Sequence, residues 1–362
     1  MTTENSASIR SAEIVLPCDD LDETLSFYVD DLKFSVDTII PADAPRIAVI
    51  SGHGLTLRLE IGSTVHPPAL RLACENPDSL FAGAQKIVAP NGVAIEIVGS
   101  EEALIIPQQL QQVVVTKSAS DATWVTGRVG MRYRDLIPSE LGGRYGASHI
   151  HVIDAGPLKD YVHYHVVRFQ MIYCYKGWAR LVYEDQGPSF VFNAGDCVLQ
   201  PPEIRHRVLE SSGDLHVIEL SCPAGHTTHS DKTMDLPNKT VNTEREFTGQ
   251  VFTHHAASAG SWGLSQLEGF EARDLLIEKG TKGLAKSVVL RPHSGAVHFE
   301  ASHDCDFFFM FILEGALTLQ VKGREEENLK VGDSFVIPPH LLFTLSAIDP
   351  KTELLHVSLP KA

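Results

Sequence analysis

No stretch of this sequence approaches the ~20 consecutive apolar residues of a membrane helix. The first residues, MTTENSASIR, lack the basic-then-apolar order of a secretory signal. Basic residues are also in short supply. Thirty Lys and Arg stand against 46 Asp and Glu, a formal charge of −16, so the basic face that a nucleic-acid backbone requires is missing. There is no helix-turn-helix pattern either. The six cysteines (Cys18, Cys74, Cys174, Cys197, Cys222 and Cys305) are scattered and form no CxxC. Disulfide frameworks belong to short secreted chains, so these are expected to be reduced thiols, most of them core residues. These absences lead to the expectation of a cytoplasmic protein with neither a membrane nor a nucleic-acid partner.

The chain does carry enough apolar residue, 43% against 21% charged, to bury a sizeable core over 362 residues. It also holds 17 histidines, gathered around 149–165, 206–229 and 254–255. Residues 1–100 alternate strand, helix and strands: SAEIVLPC, then DDLDETLSFYVDDL with acidic residues at its start, then KFSVDTII, RIAVISG and LTLRLEI. A shorter echo follows as LRLACE, a helical PDSLFAGAQKI and VAIEIV. Residues 101–125 read as a polar linker, and 223–262 as a second one. The blocks 126–222 and 263–362 are almost purely β. They share a layout: a strand pair ending in glycine (YKGWARL, LEGALTL), a Gly-Asp turn, then Pro-Pro (AGDCVLQPP, VGDSFVIPP). Such a duplication predicts two copies of one β-barrel.

On the motifs LPCDDLDETLSFYVDDLKF and APNGVAIEIV, the N-terminal part resembles the glyoxalase/extradiol dioxygenase family, the vicinal oxygen chelate fold. The resemblance maps metal-ligand positions onto Glu13 and Glu96, with Glu60 a further candidate. No histidine stands there and the second half is short, so a non-catalytic α+β module is expected.

The stretch HYHVVRFQMIYCYKG carries the strongest chemical signal. Residues two apart on a strand share a face, so His163 and His165 present both imidazoles to one side, and Gln170 lies past a short turn on the next strand. GDCVLQPPEIRH adds His206 after a Pro-Pro corner. Three imidazoles and an amide oxygen facing a barrel interior would hold one metal with open positions for substrate. Both stretches resemble the paired motifs of the cupin superfamily: His-x-His, four residues, an acidic residue, six residues, Gly; then Gly, five residues, Pro, and His. The resemblance implies a mainly β fold of two jelly-roll barrels behind the small α+β module, and metal ligands at His163, His165, His206 and Gln170, with glutamine at the glutamate position. Alternatively Gln170 stands back and hydrogen-bonds to a bound water or dioxygen. In the C-terminal copy the four positions fall on Ala301, His303, Phe308 and Phe343, so that barrel is expected to be metal-free.

A glutamine leaves a divalent site near +2 and without a carboxylate ligand to act as base. It favours anionic chelating substrates such as enolates, hydroxy or keto acids and phenolates. The family resemblance favours Fe(II); Ni, Mn, Zn and Cu fit the same ligands. His151, one of the pair His149 and His151, and Tyr161 are expected near the pocket as acid/base or rim groups. His226 and His229 read as solvated loop residues, and Arg205 and Arg207 as outward charges. The expected activity is that of an iron(II) dioxygenase on a small anionic substrate. The alternatives are a redox-neutral isomerase or lyase on a sugar or carboxylic acid, or a small-molecule binding or sensor protein. The sequence does not fix the oligomeric state, and a homodimer is among the assemblies it allows.

Overall fold

The computed structural model describes residues 13–40, 45–64, 66, 68–75, 77–99, 104–118, 123–127, 131–293 and 298–361. They divide into two compact units, 1–103 and 104–362. Among the described residues no helix is long and apolar enough to cross a membrane.

In the first unit, the strand Ile14–Cys18 runs parallel to Leu55–Ile61, and Ile47–Gly52 and Ser35–Ile40 complete a four-stranded sheet. The helix Leu21–Ser26 begins where the Asp20 carboxylate accepts the Glu23 amide at 3.0 Å, an N-cap placed directly before the first apolar position. A three-stranded sheet of Leu70–Cys74, Ala94–Gly99 and Lys86–Val88 shares the same core, around Leu16, Tyr28, Leu59 and Ile95. The helix expected over PDSLFAGAQKI does not form. Two short 3-10 turns, Pro77–Ser79 and Phe81–Gly83, and the strand Lys86–Val88 stand there instead. A proline and a glycine within seven residues leave too few consecutive helical hydrogen bonds to continue.

The second unit is two sandwiches, each of a large and a small sheet. In the first, a sheet through Cys197–Leu199, Phe169–Lys176, Leu215–Cys222 and Gly146–Val152 faces one built from Phe190–Asn193, Trp178–Tyr183, His206–Ser212 and His163–Val166. In the second, Phe270–Asp274, Lys286–Pro292, Glu353–Leu359, Phe307–Glu314 and Ser334–Val336 face His298–Ala301, Phe343–Ser346, Ala316–Val321 and Glu327–Lys330. Corresponding glycines, Gly177 and Gly315, turn both hairpins at φ +79° and +76°. A Cβ would come within 2.6 Å of Ser212 Oγ at the first and 2.5 Å of Thr352 Oγ1 at the second.

Neither expected linker is a plain connection. Within 101–125, the strand Val114–Thr116 pairs with Ser334–Val336 of the second barrel. Within 223–262, Thr227–Ser230 pairs with His163–Val166, and Thr253–His255 pairs with Cys197–Leu199. Each barrel therefore takes an edge strand from the segment that precedes the other barrel. The Gly-Asp turns hold these strands. Asp196 accepts the Ala257 amide at 2.7 Å, and Asp333 accepts the Ser118 amide at 2.7 Å. Both aspartates are buried, and each also accepts an amide of its own turn, Asn193 and Lys330 respectively. The short polar runs hid these strands because three or four residues carry too little periodicity to register.

The run FFFMFIL is apolar on both faces because both are covered. Phe307, Phe309 and Phe311 join Phe169, Met171 and Tyr173 of the first barrel in one cluster, while Phe308, Met310 and Ile312 fill the second barrel. Tyr145 stacks on Phe307 with centroids 4.4 Å apart. Truncating Phe309, which is fully buried there, to alanine is expected to cost about 3–5 kcal/mol. Denaturant unfolding checks this, and a loss well under that range would mean the barrels are not held by this cluster.

Candidate metal centre

The register sets His163 directly opposite His206 on neighbouring strands, and His165 follows on the same face. The ring centroids lie 4.2 Å apart for His163 and His206, 5.3 Å for His163 and His165, and 5.2 Å for His165 and His206. One ligand nitrogen from each comes within 4.8 Å of the other two.

The second ring nitrogens fix the tautomers. His163 Nδ1 lies 2.8 Å from the Tyr161 carbonyl, and His206 Nδ1 lies 3.0 Å from the Ile204 carbonyl. A carbonyl only accepts, so Nδ1 carries the proton and Nε2 keeps its lone pair. Asp160, buried, stands 3.8 Å behind the same nitrogen of His163. His165 Nδ1 meets Thr228 Oγ1 at 2.8 Å. Three neutral imidazoles with outer partners on Nδ1 are the donor set that a first-row divalent ion takes, so the residues fit a metal.

Gln170 is buried, and its side chain is tied to the triad through Gln200. A directed chain of hydrogen bonds reaches it. Tyr183 Oη donates to Gln200 Oε1 (2.6 Å), Gln200 Nε2 to Gln170 Oε1 (3.0 Å), and Gln170 Nε2 to Glu219 Oε1 (3.2 Å). The same Gln200 amide lies 3.4 Å from His206 Nε2. Each donor points along the chain toward Glu219, whose carboxylate oxygen accepts at its end. Burial raises the Tyr183 hydroxyl above its usual range, so it remains a donor.

The cavity that the triad faces has a volume of about 350 Å³. Its walls are largely aliphatic, with Ile150, Val152, Ile172, Leu181 and Val217, while Glu219, Ser148 and Asp135 form one polar row across three strands.

Several expectations need correction. His151 and His149 do not line the cavity. On Gly146–Val152 the residues Gly146, Ser148, Ile150 and Val152 face inward, so both histidines point to the other side. There His149 packs near Phe311 and its Nδ1 accepts from the Arg134 guanidinium at 3.1 Å, and burial with that guanidinium pushes its pKa down to about 3. His151 stacks on His216 and shares Asp214 with it. Tyr161 precedes the strand, so strand alternation does not orient it. The residue is 45% exposed with its ring centroid 5.8 Å from that of His163, the rim position expected, and its carbonyl holds His163 Nδ1. His226, expected in solvent, lines the cavity with its ring 5.0 Å from His165. Arg205 does point away, paired with Asp231 at 3.3 Å. In the first unit Glu13 and Glu60 both reach Arg58, and Glu96 reaches Arg71, so their charges are met by arginines instead of converging on a metal position. Gln200 and Glu219 were not foreseen. Gln200 stands just before Pro201 in the second motif, but only strand pairing brings Glu219 to Gln170.

No protein-family model and no curated protein matches the chain. Solved structures do. A variant of oxalate decarboxylase OxdC from Bacillus subtilis is similar at a TM-score of 0.51 and 12% identity, over 71% of this chain and 79% of that one. Salicylate 1,2-dioxygenase from Pseudaminobacter salicylatoxidans is similar at a TM-score of 0.51 and 16% identity, over 70% and 86%. At these identities the likeness is one of fold, and the fold is that of the two-barrel cupins, jelly-roll sandwiches duplicated within one polypeptide.

Proposed function

We propose that the first barrel is a metal-dependent enzyme, an iron(II) dioxygenase acting on a small anionic chelating substrate. The observation that carries this reading is the convergence of three imidazoles, two with their tautomers set by carbonyls, on a cavity that also holds Glu219. A bound divalent ion would supply Lewis acidity and, as iron, redox chemistry with dioxygen. His163, His165 and His206 would hold it. Gln170 positions Glu219 by hydrogen bonding to it. Glu219 takes the proton of an enol or phenol as the substrate binds, so the carboxylate absent from the ligand set is supplied from the neighbouring strand.

Two supports favour an aromatic or enolic acid. The aliphatic walls suit a flat apolar body, and of the two similar structures one acts on salicylate. The other is named for oxalate, also a small carboxylate, and a redox-neutral reaction remains the second reading. We also read the first unit as a glyoxalase-like module that lends shape and carries no chemistry. Its strand pairing, with the first strand parallel to the fourth, and its arginine-paired glutamates support that reading.

Protein purified without an affinity tag is expected to carry about one equivalent of divalent metal, lost together with activity in His163→Ala and His206→Ala. Elemental analysis checks this, and a metal-replete, fully active His206→Ala would refute it. Iron together with oxygen consumption supports the dioxygenase; turnover without oxygen moves the assignment to isomerase, lyase or decarboxylase chemistry. Glu219→Gln is expected to keep its metal but lower kcat/KM by about 10²- to 10⁴-fold. An unchanged kcat/KM would remove Glu219 from proton transfer.

A further inference from the structure

The second barrel has lost the metal triad but kept a cavity, of about 430 Å³. Strand register gives its correspondence with the first barrel residue by residue. His163 faces His206 in one, and Ala301 faces Phe343 in the other. Phe308 takes the place of Gln170, since each lies seven residues before its hairpin glycine. Gln170 pairs with Ser221 and Gly146 in one row, and Phe308 pairs with Ser358 and Lys286. In the next row Glu219, Ser148 and Asp135 become His356, Val288 and Asp274.

The exchange therefore changes the cavity in a definite direction. It removes the metal ligands His163 and His206, replaces the carboxylate Glu219 by His356, and puts a lysine where the first barrel has Gly146. Phe308 packs between two imidazoles, with centroids 4.4 Å from His303 and 4.5 Å from His356. His356 is 9% exposed and lines the cavity, and its Nε2 is buried with no hydrogen-bond partner among the described residues. A buried polar atom of this kind costs stability unless a ligand or water meets it. Burial pushes the pKa of His356 down to about 3, so the ring is neutral and does not repel Lys286. Lys286 Nζ has Gln266 Oε1 at 3.2 Å and Glu278 Oε2 at 3.9 Å, which leaves donor capacity for an anion. Asp274, the carboxylate in the lining, is occupied with the Leu276 amide at 2.7 Å. Among the described residues, the side-chain groups that could hold a metal are His163, His165 and His206, and His151, Asp214 and His216; His303, Cys305 and His356 belong to neither.

We infer that the C-terminal barrel is a second, metal-free binding site for a small flat organic carboxylate, its body against Val288, Leu290 and Phe308 and its carboxylate at Lys286 and His356. The site is independent of the activity proposed for the first barrel.

Cys305 lines this cavity and supplies a local reporter. Benzoate is expected to slow iodoacetamide modification of Cys305, read by mass spectrometry on the full-length protein. Half-protection in Lys286→Met should need at least about tenfold more benzoate, the loss of one charge-assisted hydrogen bond. Lys286→Arg, which keeps the charge at a half-buried rim position, should retain protection. Benzamide should protect weakly. No protection at millimolar benzoate, undiminished protection in Lys286→Met, or equal protection by benzamide would each overturn the inference.

Discussion

Two backbone carbonyls, those of Tyr161 and Ile204, set the donor character of the candidate metal centre. Each accepts a hydrogen bond from the Nδ1–H of a histidine and so leaves the lone pair on Nε2. The rings could otherwise adopt either tautomer, and in the other one Nε2 would repel a metal ion with a proton. The carbonyls are fixed by the chain itself, two residues before His163 and two before His206. The strands that carry those histidines are neighbours in register, so the pairing sets the ligand separation while the local carbonyls set the tautomers. Their chemistry is built into the backbone of a jelly roll.

The glutamine in the ligand motif becomes intelligible from the same standpoint. An acidic ligand would neutralise the metal directly. Here the acidic group is displaced to Glu219 and coupled back through Gln170 and Gln200, with Tyr183 as the terminal donor. A carboxylate that is not spent on coordination can exchange a proton with the substrate. On the proposed reading a metal held by the three histidines would keep its charge, with Glu219 in the same cavity. The duplicated barrel shows the outcome when these demands are lifted. Its corresponding positions became Phe308 and His356, and an aromatic stack occupies the space of the polar chain.

The parts of this account that were legible in the sequence are those governed by local geometry. The His-x-His pair follows from the two-residue period of a strand, and the glycine hairpins, Gly-Asp turns and Pro-Pro corners mark the barrel's punctuation at fixed spacing. Long-range pairing was not legible. Glu219 looks like any polar residue on an alternating strand until that strand lies beside Phe169–Lys176. His226 looks solvated until Thr227–Ser230 adds to the edge of His163–Val166. The SHIHVI pair failed for a related reason. Alternation shows that His149 and His151 share a face, but which face is inward depends on the partner strands. Both turned out to face away from the cavity.

The tautomer claim can be tested without substrate or turnover. Long-range ¹H–¹⁵N correlation of the histidine side chains, recorded on metal-free protein near neutral pH and again with diamagnetic zinc, reads the protonation of each ring nitrogen. The account predicts Nδ1–H tautomers for His163 and His206 before zinc, with Nε2 of both and of His165 shifting when zinc binds. Nε2–H tautomers in the metal-free protein, or zinc leaving these resonances unmoved, would contradict it.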